Sequence, residues 1–343
     1  MASIPPAGTR FFLFLSCSCQ LRLSFHDMAD CVESRLISRD IPVLVFVNRT
    51  AGRNRARFYL PHLQTLFESH GVTVQFIETG GAGELESAAH SATVGQNHRL
   101  LLALGGDGTF QALVNGVYET DAVIGILPAG GGNDFAAALG LPRDAVSAAE
   151  MILKGKPRSV DLVRVRTADG RTRLYAGGGG IGLDAEAARF ASGPYRRLPG
   201  RLRYVASALR AFSEHRPLKV RLEFPGTDFP SAESLSLLAC ALNTPTYGAG
   251  LRLTPDARID DGLLDVAMVE DLSALGVLRL LPRLMGSGEL RTSRVKRWRV
   301  KRVRMCADRA CLFHGDGEIF GPTPVEVEVV PNAARALAPF KEA

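Results

Sequence analysis

No apolar run in this 343-residue sequence approaches the roughly 18–20 residues that a membrane-spanning helix needs, so we expect no transmembrane segment. The sequence also has no Cys-x-x-Cys pair. Three of its six cysteines fall within the first 31 residues, which argues against a disulfide framework and favours a reducing compartment. Internal repeats are absent, and the only stretch of low complexity is Gly177–Gly180.

The overall composition is that of an ordinary globular protein. Apolar residues make up 46% of the chain and charged residues 22%. The length allows two domains at roughly 100–200 residues each. A net charge of +6 fits anionic partners such as nucleotides, acidic lipids or nucleic acid, and it identifies none of them.

Residues 1–40 are predicted to form a poorly ordered tail. A short apolar run follows Arg10, but serine and cysteine interrupt it and no Ala-x-Ala cleavage site follows. Export, or a lipoprotein-type anchor at Cys17, is therefore the less favoured alternative, and a start at Met28 would remove the run altogether. We expect a cytoplasmic protein.

Between residues 41 and 157, apolar runs alternate with segments of helical periodicity. This alternation predicts a parallel sheet with right-handed crossovers. In such sheets, ligands bind beyond the carboxyl ends of the strands, where this sequence has loops rich in Gly, Asn, Asp and Thr. The predicted strands are 43–47, 72–78, 100–104 and 123–127, and helices are predicted at 55–70, at 84–93, after Thr109 and at 145–153.

After Pro157, short runs that alternate apolar and polar residues predict an antiparallel sheet or sandwich. Helical insertions are expected at 199–214 and 273–285. The predicted strand regions are 160–166, 172–177, 218–224, 235–242, 263–269, 294–305 and 325–330.

The stretch Leu100–Val117 carries the clearest chemical signal. An apolar strand ends abruptly in Gly105-Gly-Asp-Gly-Thr109, and a helix-compatible pattern follows. Backbone N–H groups of such a turn, together with a helix N-terminus, form a site for phosphate. Asp107 suits this loop if Mg²⁺ lies between its carboxylate and the phosphates. A plain glycine turn with Asp107 as an N-cap is the alternative.

Two further acidic stretches lie in the second half. Asp260-Asp-Gly262 reads as a tight turn before a strand, and its carboxylate with neighbouring carbonyls could also hold a divalent ion. His314–Phe320 contains Asp316 and Glu318, which would share a face of a strand, although Gly317 lets either reach inward. Phosphoryl transfer to an alcohol needs a base near the hydroxyl, so Asp316 and Glu318 are candidates for that base. Turns between strands are the alternative for both.

These motifs together resemble the catalytic domain of the diacylglycerol kinase family, shared with sphingosine and ceramide kinases and bacterial lipid kinases. The likeness runs from about Ile41 to Leu337, and its three main motifs occur in the family's order. The motifs are Gly105–Thr109, Pro128–Ala136 and His314–Phe320, supported by Asn48–Gly52, Thr79, Asn243–Gly250 and Thr254–Val266.

The resemblance implies a two-domain lipid/NAD-kinase-like fold with the active site in the cleft. A nucleotide-binding α/β domain with a parallel sheet would occupy 41–157, and an all-β sandwich substrate domain would occupy 158–330. The C-terminal segment, 331–343, would return to the first domain.

The resemblance also implies ATP and Mg²⁺ as cofactors. Glu318 is the favoured base for the alcohol proton, Asp316 is a partner that could serve instead, and Asp107 would order Mg²⁺ and water. The implied nucleotide-binding residues are Asn48, Gly52, Thr79, Gly105, Gly106, Asp107, Gly108, Thr109, Gly130, Gly131, Asn133 and Asp134.

A second metal position is implied at the tight turn. Its ligands would be the side chain of Asp261 and the backbone oxygens of Arg258 and Leu263. The segment Gly177–Asp184 resembles a family stretch near the acceptor pocket, although a flexible turn is an equal interpretation.

Several residues depart from the family pattern. Arg49 replaces a proline, Gly131 replaces a threonine whose hydroxyl would lie near the phosphates, and Gln111-Ala112 replaces Asn-Glu. The favoured function is ATP- and Mg²⁺-dependent phosphorylation of diacylglycerol or a related lipid. An NAD kinase and a non-catalytic nucleotide- or lipid-binding protein are the alternatives.

The expected partner is a lipid substrate at a membrane surface, with peripheral membrane association and no nucleic acid. A basic run, Arg291–Arg304, has eight Lys or Arg in fourteen residues and is predicted to form strands with a basic solvent face that could touch acidic headgroups or RNA. The oligomeric state is open, a homodimer being one possibility.

Overall fold

The computed structural model describes residues 41–48, 55–195, 198, 200–214, 216–248, 250–273, 276 and 293–339. Three sequence predictions lie outside the described residues. They are the tail 1–40, most of the helical insertion 273–285, and the loop after Asn48 that includes Arg49 and Gly52.

The first half of the chain forms the predicted parallel sheet, with strand order β4-β3-β1-β2. All six residues of β3 and of β4 are buried, which explains why these strands read as continuous apolar runs. The strands are β1 (Val43–Asn48), β2 (Val74–Thr79), β3 (Leu100–Gly105) and β4 (Val123–Pro128), and the helices are α1 (Arg55–Ser69), α2 (Ala82–His90), α3 (Asp107–Val117), α4 (Asp134–Ala138) and α5 (Ala145–Leu153).

A local sequence signal explains where α5 begins. The carboxylate of Asp144 accepts hydrogen bonds from the N–H groups of Val146 and Ser147, at 3.1 and 3.0 Å, and so caps α5. Helix α2 ends at His90, and the predicted continuation to Thr93 is a π-helical turn over Ser91–Gly95.

The second half is antiparallel, as predicted, and its strands enclose an apolar core. The two-part fold expected from the sequence is therefore present. Its strands are β5 (Lys156–Arg166), β6 (Thr172–Tyr175), β7 (Gly178–Gly182), β8 (Leu218–Glu223), β9 (Ala232–Leu242), β10 (Leu264–Glu270), β11 (Val295–Val300), β12 (Arg302–Ala307), β13 (Leu312–Gly315), β14 (Glu318–Pro322) and β15 (Val325–Ala338), and its described helices are α6 (Leu183–Ser192) and α7 (Gly200–Glu214).

Strand β15 joins the two halves into one hydrogen-bonded sheet. Its first part pairs antiparallel with β12 and β5, and further along Arg335 and Ala336 pair parallel with Val123 and Ile124 of β4. The residues after 330 thus lie beside the parallel sheet. The domain limits at 157/158 and 330/331 stay predictions, because β5 and β15 run across both of them.

The glycine run Gly177–Gly180 is mostly a strand, not the flexible turn considered from the sequence. Residues from Gly178 onward form β7, which pairs with β9 on one side and β13 on the other. A Cβ on Gly179 would lie 2.4 Å from the carbonyl oxygen of His314, so only glycine allows this approach. The alternation of apolar and polar residues could not reveal this strand, because most residues of β7 are glycines.

Among the described residues, no helix combines the length and the apolar character required to cross a bilayer.

Candidate active site

Residues from several of the motifs predicted to bind nucleotide meet at the carboxyl edge of the parallel sheet, within the part of the chain that the structure describes. Asn48 and Thr79, the last residues of β1 and β2, lie opposite each other in the strand register. The amide of Asn48 donates a hydrogen bond to the hydroxyl of Thr109 at 3.3 Å. Three motifs far apart in sequence therefore converge here, as parallel strand ends do.

The two glycine loops touch through their backbones. A Cβ placed on Gly130 would lie only 2.6 Å from the Cα of Gly106, a separation that real Cβ atoms do not show. Gly105 ends β3 and Gly106 directly precedes α3, and Gly130 and Gly131 follow β4. The absence of side chains at this contact leaves the backbone of both loops accessible to a ligand.

Asp107 links the two loops through its carboxylate. Its oxygens accept hydrogen bonds from the N–H groups of Asn133, at 2.8 Å, and Phe135, at 3.3 Å, at the start of α4. Burial raises the pKa of Asp107 to about 6, and the nearby charge of Asp134 adds to the rise against these hydrogen bonds. Asp107 therefore caps the start of α4, which follows the other glycine loop, and not the start of its own helix α3.

Asn133 does not cap α4 with its side chain. Its backbone is left-handed, with φ 60°, and its amide nitrogen donates to the carbonyl of Gly130 at 3.1 Å. In the described part of the chain, Oδ1 of Asn133 is buried and has no hydrogen-bond partner. This oxygen and the carboxylate of Asp107 are the hard donors that Mg²⁺ prefers, so the residues present fit a magnesium ion at this loop.

Asp316 lies in a tight turn rather than on a strand, which corrects the expected shared face with Glu318. Asp316 and Gly317 are the two central residues of the β13–β14 hairpin, with φ of 50° and 88°. Asp-Gly favours this turn because both positions need positive φ. Glu318 is the first residue of β14 and is exposed.

Three consecutive backbone N–H groups hold the Asp316 carboxylate. Ala176 donates at 2.9 Å, and Gly177 and Gly178 each donate at 3.0 Å. Burial raises the pKa of Asp316 to about 7, and the charge of Asp107 adds to the rise. The two carboxylates therefore lie close enough to interact across the site.

The glycine loop and the hairpin are in contact. A Cβ on Gly108 would lie 3.3 Å from Oε1 of Glu318 and 3.6 Å from the backbone oxygen of Asp316. Arg173 of β6 pairs with Glu86 of α2, and the pKa of its guanidinium is raised mainly by Glu86, with a contribution from Glu318. Acids from the end of the chain thus face the loop that begins α3.

The turn predicted to bind a second metal is present, with Gly262 at φ 70°. The Asp261 carboxylate is already engaged, however, because it forms an ion pair with Arg299 and accepts the N–H of Leu263 at 3.1 Å. Asp260 pairs with Arg158 at 2.5 Å, and the side chain of Arg258 lies 3.5 Å from Asp260. Within the described ranges, no three His, Cys, Asp or Glu residues are grouped to hold a metal. A cation at this turn would have to displace Arg299 from Asp261, and the second metal position stays a prediction.

Ion pairs neutralise much of the basic run at 291–304. Five of its eight cations pair with acids of neighbouring segments, which weakens any field directed at headgroups or RNA. The pairs are Arg294 and Lys296 with Glu270, Arg299 with Asp261, Arg302 with Glu328 and Arg304 with Glu223.

A buried polar cluster that sequence reasoning missed lies beside the hairpin. The Tyr247 hydroxyl donates to Asp184 at 2.8 Å and lies 2.5 Å from Nε2 of His314, the residue two before Asp316. Because the single phenolic hydrogen points to Asp184, Nε2 of His314 must carry the hydrogen shared with Tyr247. The three residues are over 60 positions apart, so no sequence pattern joined them.

Comparison with known proteins gives two family matches that together cover most of the chain. Residues 42–165 match the diacylglycerol kinase catalytic domain, and residues 179–338 match the YegS C-terminal NAD kinase beta sandwich-like domain.

Individual relatives agree with these matches. A diacylglycerol kinase of Mycobacterium tuberculosis is 32% identical over 272 residues, covering 78% of this chain and 85% of the relative. One of Bacillus subtilis is 27% identical over 285 residues, covering 82% and 91%. A crystal structure of a diacylglycerol kinase from Bacillus anthracis aligns with TM-score 0.63 at 19% identity, covering 87% of this chain and 96% of that one, which supports the fold.

Proposed function

This chain belongs to the diacylglycerol kinase family of lipid kinases, and from that premise we propose that it transfers the γ-phosphoryl group of ATP to a hydroxyl of diacylglycerol or a related lipid. The observation that carries the proposal is the contact between Gly108 and Glu318. It brings together a candidate phosphate loop and a candidate base that are far apart in the sequence.

The phosphates of ATP would lie on the backbone of Gly105–Thr109 and the loop after β1, next to Gly130. The glycine contact between the two loops and the N-terminus of α3 support this assignment. Asp107 and Asn133 would hold Mg²⁺, which when bound neutralises phosphate charge. The hydroxyl missing at Gly131 removes one contact and leaves the backbone donors in place.

Glu318 would accept the proton of the lipid hydroxyl. Its exposure gives it access to an acceptor, and its position beside Gly108 places it at the phosphate loop. Asp316, by contrast, is held by three backbone N–H groups, which suits a residue that shapes the hairpin. We therefore assign the base to Glu318 and a supporting role to Asp316. A lipid acceptor would require access to a membrane surface.

The deciding experiment offers the purified protein ATP and Mg²⁺ with three acceptors: total lipid extract, pure diacylglycerol, and NAD. Mass spectrometry should detect a phosphorylated lipid and no NADP. Phosphorylation of NAD alone would identify an NAD kinase, and nucleotide binding without any product would identify a non-catalytic homologue. Either result would reject the proposal.

Replacing the base tests its role directly. Glu318→Gln keeps the size of the side chain and removes its basicity, so the rate should fall ~10²-fold or more while ATP still binds. Activity would be measured with labelled ATP, and nucleotide affinity by calorimetry. A rate within threefold of the unmodified protein would exclude Glu318 as the base.

A further inference from the structure

The two halves of the site must be held at a fixed separation. A misplacement of ~1 Å at a reacting group can lower a rate ~10²-fold. The phosphate loop begins α3, and Asp316 and Glu318 belong to a hairpin about 200 residues later. The short segment Leu174–Gly178 is hydrogen-bonded both to α3 and to the hairpin.

Asn115 fastens this segment to α3. Its side-chain amide donates to the carbonyl of Leu174 at 2.9 Å, and its oxygen accepts the N–H of Leu174 at 3.1 Å. Gln111 donates to the same carbonyl at 3.1 Å. Among the described strands, β6 pairs only with β5, so Asn115 satisfies both backbone groups of Leu174 in the way that a neighbouring strand would.

The other end of the segment holds the hairpin. Ala176, Gly177 and Gly178 donate to the Asp316 carboxylate, and the N–H of Asp316 donates to the carbonyl of Gly178 at 2.9 Å. Asn243 binds the carbonyls of Ala176 and Gly177, at 2.9 and 2.8 Å. Only Tyr175 separates the residue held by Asn115 from the first residue that holds Asp316.

We propose that Asn115 is a positioning residue of the phosphoryl transfer. Acting through Leu174–Gly178, its amide sets the distance from the loop containing Asp107 and Gly108 to Asp316 and Glu318. This inference rests on the proposed function.

The first test replaces the amide. Asn115→Ala should lower kcat ~10–100-fold, while KM for ATP changes less than twofold, because the phosphate loop is intact and only its distance from the base has changed. Asn115→Asp has nearly the same size but no donor for the Leu174 carbonyl, so it should lose at least as much activity. Wild-type kcat in both variants would overturn the proposal.

A stability-matched control excludes a general loss of folding. Ile152 is buried on α5 and is not one of the residues assigned to the site. Ile152→Ala should destabilise the protein by leaving a cavity in the core. Its kcat per folded molecule should equal that of the unmodified protein. If Ile152→Ala lowers kcat as much as Asn115→Ala does, positioning is refuted.

A double-mutant cycle tests whether Asn115 acts through the base. Because a misplaced hairpin matters little once the base is gone, adding Asn115→Ala to Glu318→Gln should lower kcat less than threefold further. If kcat of the double variant instead falls by the product of the two single-variant factors, the proposal is overturned.

A readout independent of activity separates this inference from the proposed function. Hydrogen exchange at the amides of Ala176–Gly178 should become at least tenfold faster in Asn115→Ala and remain unchanged in Ile152→Ala. If no acceptor is phosphorylated but exchange responds in this way, the proposed function fails while the coupling of α3 to the hairpin stands. Unchanged exchange in Asn115→Ala refutes the coupling.

Discussion

Asp107 and Asp316 are carboxyl groups whose ionisation the fold opposes. Both have raised pKa values, about 6 and about 7, chiefly because they are removed from water. Each is nevertheless bound by backbone N–H groups, which prefer the ionised form. Neutralisation by a cation would relieve this opposition, which is consistent with the magnesium position proposed beside Asp107.

This arrangement predicts how stability depends on pH. A carboxyl whose pKa is higher in the folded than in the unfolded protein binds more protons when folded, so its contribution to the free energy of unfolding falls as pH rises from about 4 to about 7. Asp107→Asn removes one such group and the charge that raises the pKa of Asp316. Urea denaturation between pH 4 and 8, without added metal, should show a shallower decline for the variant. An equal or steeper decline would contradict the raised pKa of Asp107 in the folded protein.

Asn133 and Gln111 make contacts in the structure that the sequence did not predict. Asn133 directly precedes α4, yet its side chain donates to Gly130, and the start of α4 is capped by Asp107, 26 positions earlier. Gln111, a departure from the family pattern, is buried and bonds to Leu174. The cap from Asp107 and the contact of Gln111 with Leu174 could not be inferred from local sequence, because both depend on how distant segments pack.

The short elements around the site depend on close backbone contacts. The loop after β3 and the loop after β4 approach each other at Gly106 and Gly130, where a side chain has no room. Their contact gives both loops one orientation beyond the ends of the parallel strands.

A methyl group at this contact should separate the loops. In Gly130→Ala the added carbon would meet the Cα of Gly106 at 2.6 Å, so the loops must shift, and KM for ATP should rise ~10-fold or more. Gly83→Ala is the matched control, because nothing lies within 4 Å of its added carbon. It should leave KM unchanged and stabilise α2 by up to ~1 kcal/mol. Equal KM values for both variants would show that the contact does not shape the nucleotide site.

At the scale of the whole molecule, β15 ties the halves together. Ala336 is fully buried and lies between Arg158 of β5 and Ile124 of β4 in the strand register. A central strand at this place makes the parallel and antiparallel parts one sheet. The site between α3 and the β13–β14 hairpin therefore rests on a continuous support.

Interrupting this strand should destabilise both halves. Ala336→Pro removes a backbone donor from a central strand and should lower the free energy of unfolding by about 3 kcal/mol. Ala336→Gly keeps the donor and should cost only ~0.5–1 kcal/mol. Chemical denaturation followed by tryptophan fluorescence and circular dichroism would compare the two. A proline variant as stable as the glycine variant would mean that β15 does not tie the halves.

Sequence by itself determined the alternating first half, the antiparallel second half and the motifs of the site, because hydrophobic period and turn chemistry are local properties. It also identified Gly105–Thr109 and Glu318 as the residues to examine. Only the tertiary structure decided that Asp316 lies in a turn, that Arg299 forms an ion pair with Asp261, and that Asn115 is hydrogen-bonded to Leu174. Those contacts join residues tens to hundreds of positions apart, and their partners are fixed by how strands pair and helices pack, which no single stretch of sequence encodes.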